Sequence, residues 1–333
     1  MRALVTGGTG FIGGAIAARL LASGWKVTLL LRPGAALPAQ LAQAECIFSD
    51  LGQFNAADWR GRLPECELAV HAAAIRNRWG TSPEAYRRVN VDGTQQFLNA
   101  LIGYAQHFIY ISSVGVYGYP GMLDIREESP VIGVRGALDY HASKLLAEQV
   151  VAQQAERMCV TILRPTITYG PGDRDGMITR MAQLIRARRM PLIGTGKNFL
   201  HLAYIDDLLD AILAAHAHRQ NSGEVYNVSG PEPIRFLELA RGIAAASGTI
   251  FPRFQIPRPA AWLAGWLVEN LYRAAHLKTT PPITRQMVNM VSANRSFSHE
   301  KASARLGYAP QTGVNAGLPR ALEWMESAGL LDK

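Results

Sequence analysis

Through the first half of the chain, short unbroken apolar runs alternate with longer stretches whose apolar positions recur every three to four residues. The runs at residues 3–6, 27–31, 46–48, 68–71, 107–111 and 160–163 are rich in Val, Ile and Leu. They lack the in–out alternation of a half-exposed strand, so they predict strands covered on both faces, as in a parallel sheet. Helical periodicity fills the gaps at 11–23, 84–104 and 139–156. Strands spaced by helices in this way predict an α/β fold built on a doubly wound parallel sheet.

Beyond residue 165 the pattern becomes irregular and richer in Pro and Gly, with helical periodicity at 205–218, 234–247, 260–275 and 316–327. The expected organisation is a dinucleotide-binding domain over residues 1–165 and a smaller C-terminal substrate-binding lobe over 166–333. The chain is expected to re-enter the first domain around 200–228. No internal repeat or low-complexity tract interrupts it.

The first turn of this pattern carries chemistry. TGGTGFIGG sets Gly7, Gly10 and Gly13 in GxxGxxG spacing, directly after a strand, with Phe11 and Ile12 opening the helix that follows. Glycines there permit a tight turn and let backbone N–H groups approach a pyrophosphate at the helix N-terminus, the arrangement of a Rossmann dinucleotide site. The second strand ends VTLLLRPG. An acidic residue at that strand end would accept from the ribose 2′-hydroxyl of NAD; Leu31 offers nothing to it, whereas Arg32 matches the 2′-phosphate of NADP. NADP(H) is therefore the expected cofactor, with NAD(H) an alternative and a surface role for Arg32 the blander one.

Tyr140 and Lys144 in YHASK stand at i, i+4 on one helix face. A neighbouring ammonium favours the phenolate, which suits Tyr140 to proton exchange with a carbonyl or carbinol oxygen during hydride transfer. The preceding YISSVGVYG puts Ser112 and Ser113 at a strand end, on the edge where ligands of such sheets collect.

In combination these motifs resemble the extended short-chain dehydrogenase/reductases over essentially the whole chain. The resemblance rests on TGGTGFIGG, Asp50-Leu51, His71-Ala72-Ala73-Ala74, Asn90 in VNVDGT, SSVGVYG and YHASK. It implies Ser113, Tyr140 and Lys144 as the catalytic set, with Tyr140 as acid/base and Lys144 also on the nicotinamide ribose. It also implies cofactor contacts from Asp50, Leu51, Ala72, Ala73, Ala74, Asn90 and Pro165. In LRPTITYGPGD, Ile167 stands where the sugar-nucleotide epimerases of this superfamily carry an asparagine, and the segments 193–211 and 277–288 look like the 3β-hydroxysteroid dehydrogenase branch. The implied activity interconverts a secondary alcohol and a ketone on a sterol-like or β-keto acyl-like substrate. A sugar-nucleotide epimerase or dehydratase is the alternative, and a non-catalytic dinucleotide-binding protein a more distant one. The family resemblance also implies a homodimer paired through two helices, whose Phe97, Leu98, Leu101, Leu145, Leu146, Val150 and Val151 exceed one core face.

Bulk properties narrow the partners. A net charge of +8 could favour nucleic acid, but the basic residues are scattered and no aromatic-interleaved basic stripe occurs, so nucleic-acid binding is not expected. Cys46, Cys66 and Cys159 form no metal or redox motif and fit a reducing compartment. The first strand begins too early for a signal peptide, so a cytoplasmic protein without metal is expected. Trp262, Leu263, Trp266, Leu267 and Leu271 could roof an apolar pocket, graze a membrane or simply pack, but their run is too short to span a bilayer, and stable membrane insertion is not expected.

Overall fold

The computed structural model describes residues 1–132, 139–251 and 254–331. At its centre lies a seven-stranded sheet in which every neighbouring pair runs parallel. Strand β1 (Arg2–Thr6), helix α1 (Phe11–Ala22), β2 (Lys26–Leu31) and β3 (Glu45–Phe48) step outward in one direction. After the short α2 (Ala56–Trp59), β4 (Cys66–His71) returns to the opposite side of β1. β5 (Ala105–Ile111) and β6 (Cys159–Pro165) continue on that side. The strand order therefore reverses between β1 and β4, and ligands of open α/β sheets bind beyond the strand ends at such a reversal.

The helical pattern at 84–104 resolves into α3 (Pro83–Tyr86), a wider π-type stretch at Arg87–Asp92, and α4 (Gly93–Leu101). A Cβ on Gly93 would lie 2.6 Å from the Leu51 carbonyl oxygen, so the bare backbone lets this helix press against the turn after β3. Helix α5 (Tyr140–Ala152) is started by Asp139, whose carboxylate accepts from the Ala142 N–H at 2.8 Å.

Phe97, Leu98, Leu101 and Val151 are fully buried, and Leu145 packs with Val114, Val116 and Phe297. Only Leu146 and Val150 of the set expected to pair two copies are half-exposed. The surplus read from the sequence is absorbed by the chain's own core, and these residues do not by themselves call for a dimer.

Past β6, β7 (Ile167–Tyr169) pairs with β10 (Leu202–Tyr204), flanking α6 (Met177–Arg186), β8 (Leu192–Ile193) and β9 (Phe199–Leu200). Helix α7 (Ile205–Ala217) then leads to β11 (Val225–Val228), which joins β6 as the seventh strand of the main sheet. β12 (Ile234–Arg235) pairs antiparallel with β9, so α8 (Phe236–Ala246) starts later than its periodicity predicts. β13 (Gln255–Ile256), α9 (Arg258–Ala274), α10 (Arg285–Ser292), α11 (Glu300–Leu306) and α12 (Val314–Ser327) follow. No helix among the described residues is long and apolar enough to cross a membrane.

One buried ion pair joins the pieces that will matter. Arg164 on β6 meets Glu148 on α5 at 2.6 Å and 3.0 Å, with side chains only 7% and 5% exposed. Ser112 at the end of β5 donates to the same carboxylate at 2.5 Å. Arg164 also donates to the Tyr117 hydroxyl, which donates on to Asn227 of β11. Strands β5, β6 and β11 are thus locked to α5 through a single carboxylate. Arg164→Leu would leave Glu148 charged, buried and unpaired, and should destabilise the fold by ~3–5 kcal/mol. Urea unfolding measures it; a loss below ~1 kcal/mol would show that the pair does not hold these elements together.

Candidate active site

The crevice at the strand reversal is shaped by close backbone approach. Gly7 has φ +75°, and a Cβ there would lie 2.9 Å from the Ala73 backbone nitrogen. A Cβ on Gly13 would lie 2.3 Å from the Gly7 carbonyl oxygen. Gly10 caps α1 with no side-chain hydrogen bond, leaving the first N–H groups of that helix to an outside acceptor. Phe11 and Ile12 are half-buried just inside it. A glycine cradle and an uncapped helix start suit a pyrophosphate, so these residues fit a dinucleotide.

The facing turn, Ala72 to Ala74, is held by a run of hydrogen bonds whose directions can be assigned from one end. Thr94 donates its hydroxyl to the Asn90 carbonyl at 2.7 Å, so it accepts from His71 Nε2 at 3.0 Å. His71 Nδ1 then accepts from the Thr6 hydroxyl at 2.8 Å, and Thr6 accepts from the Ala73 N–H at 3.1 Å. Burial pushes the His71 imidazolium pKa down to about 3, which keeps the ring in the neutral form this pattern needs. β1 and the turn after β4 are clamped by an uncharged histidine.

Asn90 is built into the protein's own hydrogen bonding. Its side chain is 1% exposed and spent on three contacts: it accepts from the Ile75 N–H at 2.7 Å, and donates to the Ile75 carbonyl and to Ser143. It fixes the β4 loop to α5, with both amide hydrogens already donated. Leu51 is likewise packed in the core, while the Asp50 carboxylate caps its own turn by accepting from Gly52.

Arg32 ends β2 exposed, and its guanidinium makes no hydrogen bond or salt bridge among the described residues. Leu31 before it is buried. Pro165 is buried at the end of β6, in register with Val228. Ile167 lies in β7, half-buried.

The proposed catalytic residues converge on the end of β5. Ser113 caps the turn Val114–Tyr117, accepting from the Gly115 N–H at 3.0 Å, which leaves its own hydroxyl hydrogen free to donate. Tyr140, Lys144 and Glu148 follow one another at i, i+4 along α5. Lys144 donates to the Ile111 carbonyl at 2.7 Å, its ammonium 4.6 Å from the Tyr110 ring centre. Burial draws the Lys144 pKa down to about 7, with the nearby Glu148 charge opposing. Burial pushes the Tyr140 phenol up to about 12, while the positive charge of Arg76 works the other way. The phenol is therefore protonated at neutral pH in this state.

Several charged side chains around the site escaped the sequence reading. Arg76, in the loop after the Ala72–Ala74 turn, is close enough to Tyr140 to act on its ionisation, and its side chain pairs with Asp175. Asp173 is buried, and desolvation raises its carboxyl to about 6. Two signals were present: Glu148 continues the i, i+4 series from Lys144, and Arg164 is the lone charge in an otherwise uncharged strand. The described residues contain no cluster able to hold a metal ion.

Comparison with known proteins agrees with this geometry. The profile of the NAD dependent epimerase/dehydratase family matches residues 3–229. A 2-alkyl-3-oxoalkanoate reductase of Stenotrophomonas maltophilia is 29% identical over 96% of this chain and 98% of its own. A sterol-4-alpha-carboxylate 3-dehydrogenase (decarboxylating) of Schizosaccharomyces pombe is 30% identical over 78% of each. The crystal structure of gox2253 superposes with a TM-score of 0.80 at 27% identity over 99% of both chains. UDP-glucuronic acid 4-epimerase from Bacillus cereus, in complex with NAD, shares the fold with a TM-score of 0.76 at 23% identity over 98% of this chain and 99% of its own. The chain belongs to the NAD dependent epimerase/dehydratase family, as an extended short-chain dehydrogenase/reductase of the branch that holds the 3β-hydroxysteroid dehydrogenases and keto reductases.

Proposed function

We propose that this enzyme interconverts a secondary alcohol and a ketone on a largely apolar substrate, using NADP(H). The observation that carries this is the placement of Tyr140, Lys144 and Ser113 at one strand end beside the glycine crevice. A bound nicotinamide cofactor supplies the hydride. Tyr140 gives its proton to the carbonyl oxygen in reduction, and Ser113 donates a hydrogen bond to the same oxygen as charge develops on it. The Lys144 ammonium favours the phenolate left behind. Residues 1–165 with β11 hold the cofactor, and the remainder of 166–333 shapes the substrate side. Three free cysteines suit a reducing, cytoplasmic setting.

The substrate can be narrowed. The names of the bacterial and yeast relatives both place a carboxylate on the carbon next to the one that is oxidised or reduced. Arg76 offers this chain a cation whose charge reaches Tyr140, and its partner Asp175 is a half-exposed side chain that a substrate acid could replace. A 2-substituted 3-oxo acid fits both. Ile167, which has no polar group to hold a nucleotide diphosphate, weighs against sugar-nucleotide epimerisation.

Tyr140→Phe should lower kcat by roughly 10²–10⁴-fold with cofactor affinity nearly unchanged; near-full turnover would remove Tyr140 from the mechanism. A phenol raised to about 12 is protonated across the neutral range. Lys144, drawn down to about 7, loses its ammonium as pH rises through neutrality, so reduction should fall from about pH 7 upward, while alcohol oxidation, which needs the phenolate, climbs with pH. Steady-state profiles in both directions check the sign, and an oxidation rate that falls with pH would contradict it. Arg32→Ala should weaken NADP(H) binding roughly 10- to 150-fold and leave NAD(H) binding almost untouched. Equal weakening of both in a titration would reduce Arg32 to a loop residue. Arg76→Ala should raise KM roughly tenfold for a 3-oxo acid but not for its methyl ester; equal changes would dismiss the carboxylate contact.

A further inference from the structure

Helix α9 is turned inside out. A helix on a soluble protein normally buries its large apolar side chains and shows water its small and polar ones. Here the buried positions are Ala261, Gly265 and Glu269, a spine at i, i+4. The large apolar residues lie on the other side, with Trp262 41%, Leu263 54%, Trp266 43%, Leu267 53% and Leu271 64% exposed. Leu277 just past the helix and Phe254 just before it are exposed as well.

The helix is nonetheless firmly placed. A Cβ on Gly265 would lie 2.9 Å from the Arg285 backbone nitrogen, so its spine rests directly on the start of α10. Glu269 is the anchor, accepting from the Arg285 N–H at 2.8 Å and from its guanidinium at 2.9 Å, with Arg273 at 3.3 Å. The exposed face is therefore presented by a fixed element.

Charge says what covers it. Between Phe254 and Arg285 the cations are Arg258, Arg273, Lys278 and Arg285, and the only carboxylate is the buried, neutralised Glu269. No exposed acid lies on the segment. Two Trp and three Leu on one face with cationic flanks match a helix lying in the interface of an anionic bilayer.

The helix end and its support also touch the segments that carry the candidate site. Trp79, three residues beyond Arg76, donates to the Leu277 carbonyl at 3.1 Å and meets Tyr272 edge-on. On α10, Gln286 lies 3.2 Å from His141, the neighbour of Tyr140. The helix and its support thus pack against the Arg76–Trp79 loop and the start of α5.

We propose that α9 docks this enzyme peripherally on an anionic membrane surface, its Trp262–Leu271 face buried among the lipid headgroups without crossing the bilayer. The test is co-sedimentation of the full chain with phosphatidylcholine vesicles, with and without added phosphatidylglycerol. Wild type should pellet with the anionic vesicles, release as salt is raised, and show blue-shifted tryptophan emission when bound. Leu263→Gln with Leu267→Gln should lower partitioning at least tenfold, with circular dichroism unchanged to show that the fold survives. No pelleting of wild type, or equal partition onto both kinds of vesicle, overturns the assignment. So does a wild-type dimer in light scattering that the same double substitution splits into monomers, since a second copy then covers the face. None of these readouts depends on turnover, so the docking stands or falls apart from the proposed reaction.

Discussion

The site depends on one carboxylate buried inside the protein. Glu148 gathers Arg164, Ser112 and, through Arg164, Tyr117 and Asn227. Taking such charges out of water is unfavourable, and attraction offsets it only where the geometry satisfies every partner. The pair is therefore weak evidence for stability and strong evidence for specification. It fixes the rotation of α5 against the end of β5, and that rotation brings Tyr140 and Lys144 to the edge where Ser113 begins its turn.

A second constraint works through absent atoms and absent charge. Gly7 and Gly13 let the turn after β1 lie against the turn after β4 with no side chain between. The neutral His71 then bonds the two turns at a depth where an imidazolium would be severely penalised. A cofactor cradle with rigid walls follows from these two facts. Arg32 follows β2 exposed, and Arg76 is held by Asp175.

What the sequence revealed, it revealed through local physics. Glycine spacing reports backbone approach within a few residues, and the Tyr140–Lys144 interval reports a helix face, so both were legible. The strand runs were legible because burial on both faces leaves them continuously apolar. The Arg164–Glu148 pair was not, because which strand lies beside which helix is settled by the sheet's order and not by neighbours in the chain. The partners of Asn90 were hidden for a related reason: its motif marks the position, but only the packed loop shows its amide bonded to Ile75 and Ser143. The apolar residues of α4 and α5 mark surfaces to be covered without saying by what, and the protein's own core covers most of them. Helix α9 is the converse, a pattern read equally well as core or surface until its spine of Ala261, Gly265 and Glu269 is seen to be the buried side.

The account stands on net hydride transfer to a carbonyl carbon in the crevice beside Tyr140. It is tested most directly by following label from NADPH carrying deuterium at both C4 positions into product, with a 2-alkyl-3-oxo acid as substrate. Deuterium at the carbinol carbon, with cofactor oxidised in step with product, is the predicted result. An unlabelled product, or a UDP-sugar turned into its isomer with no net cofactor oxidation, would contradict it.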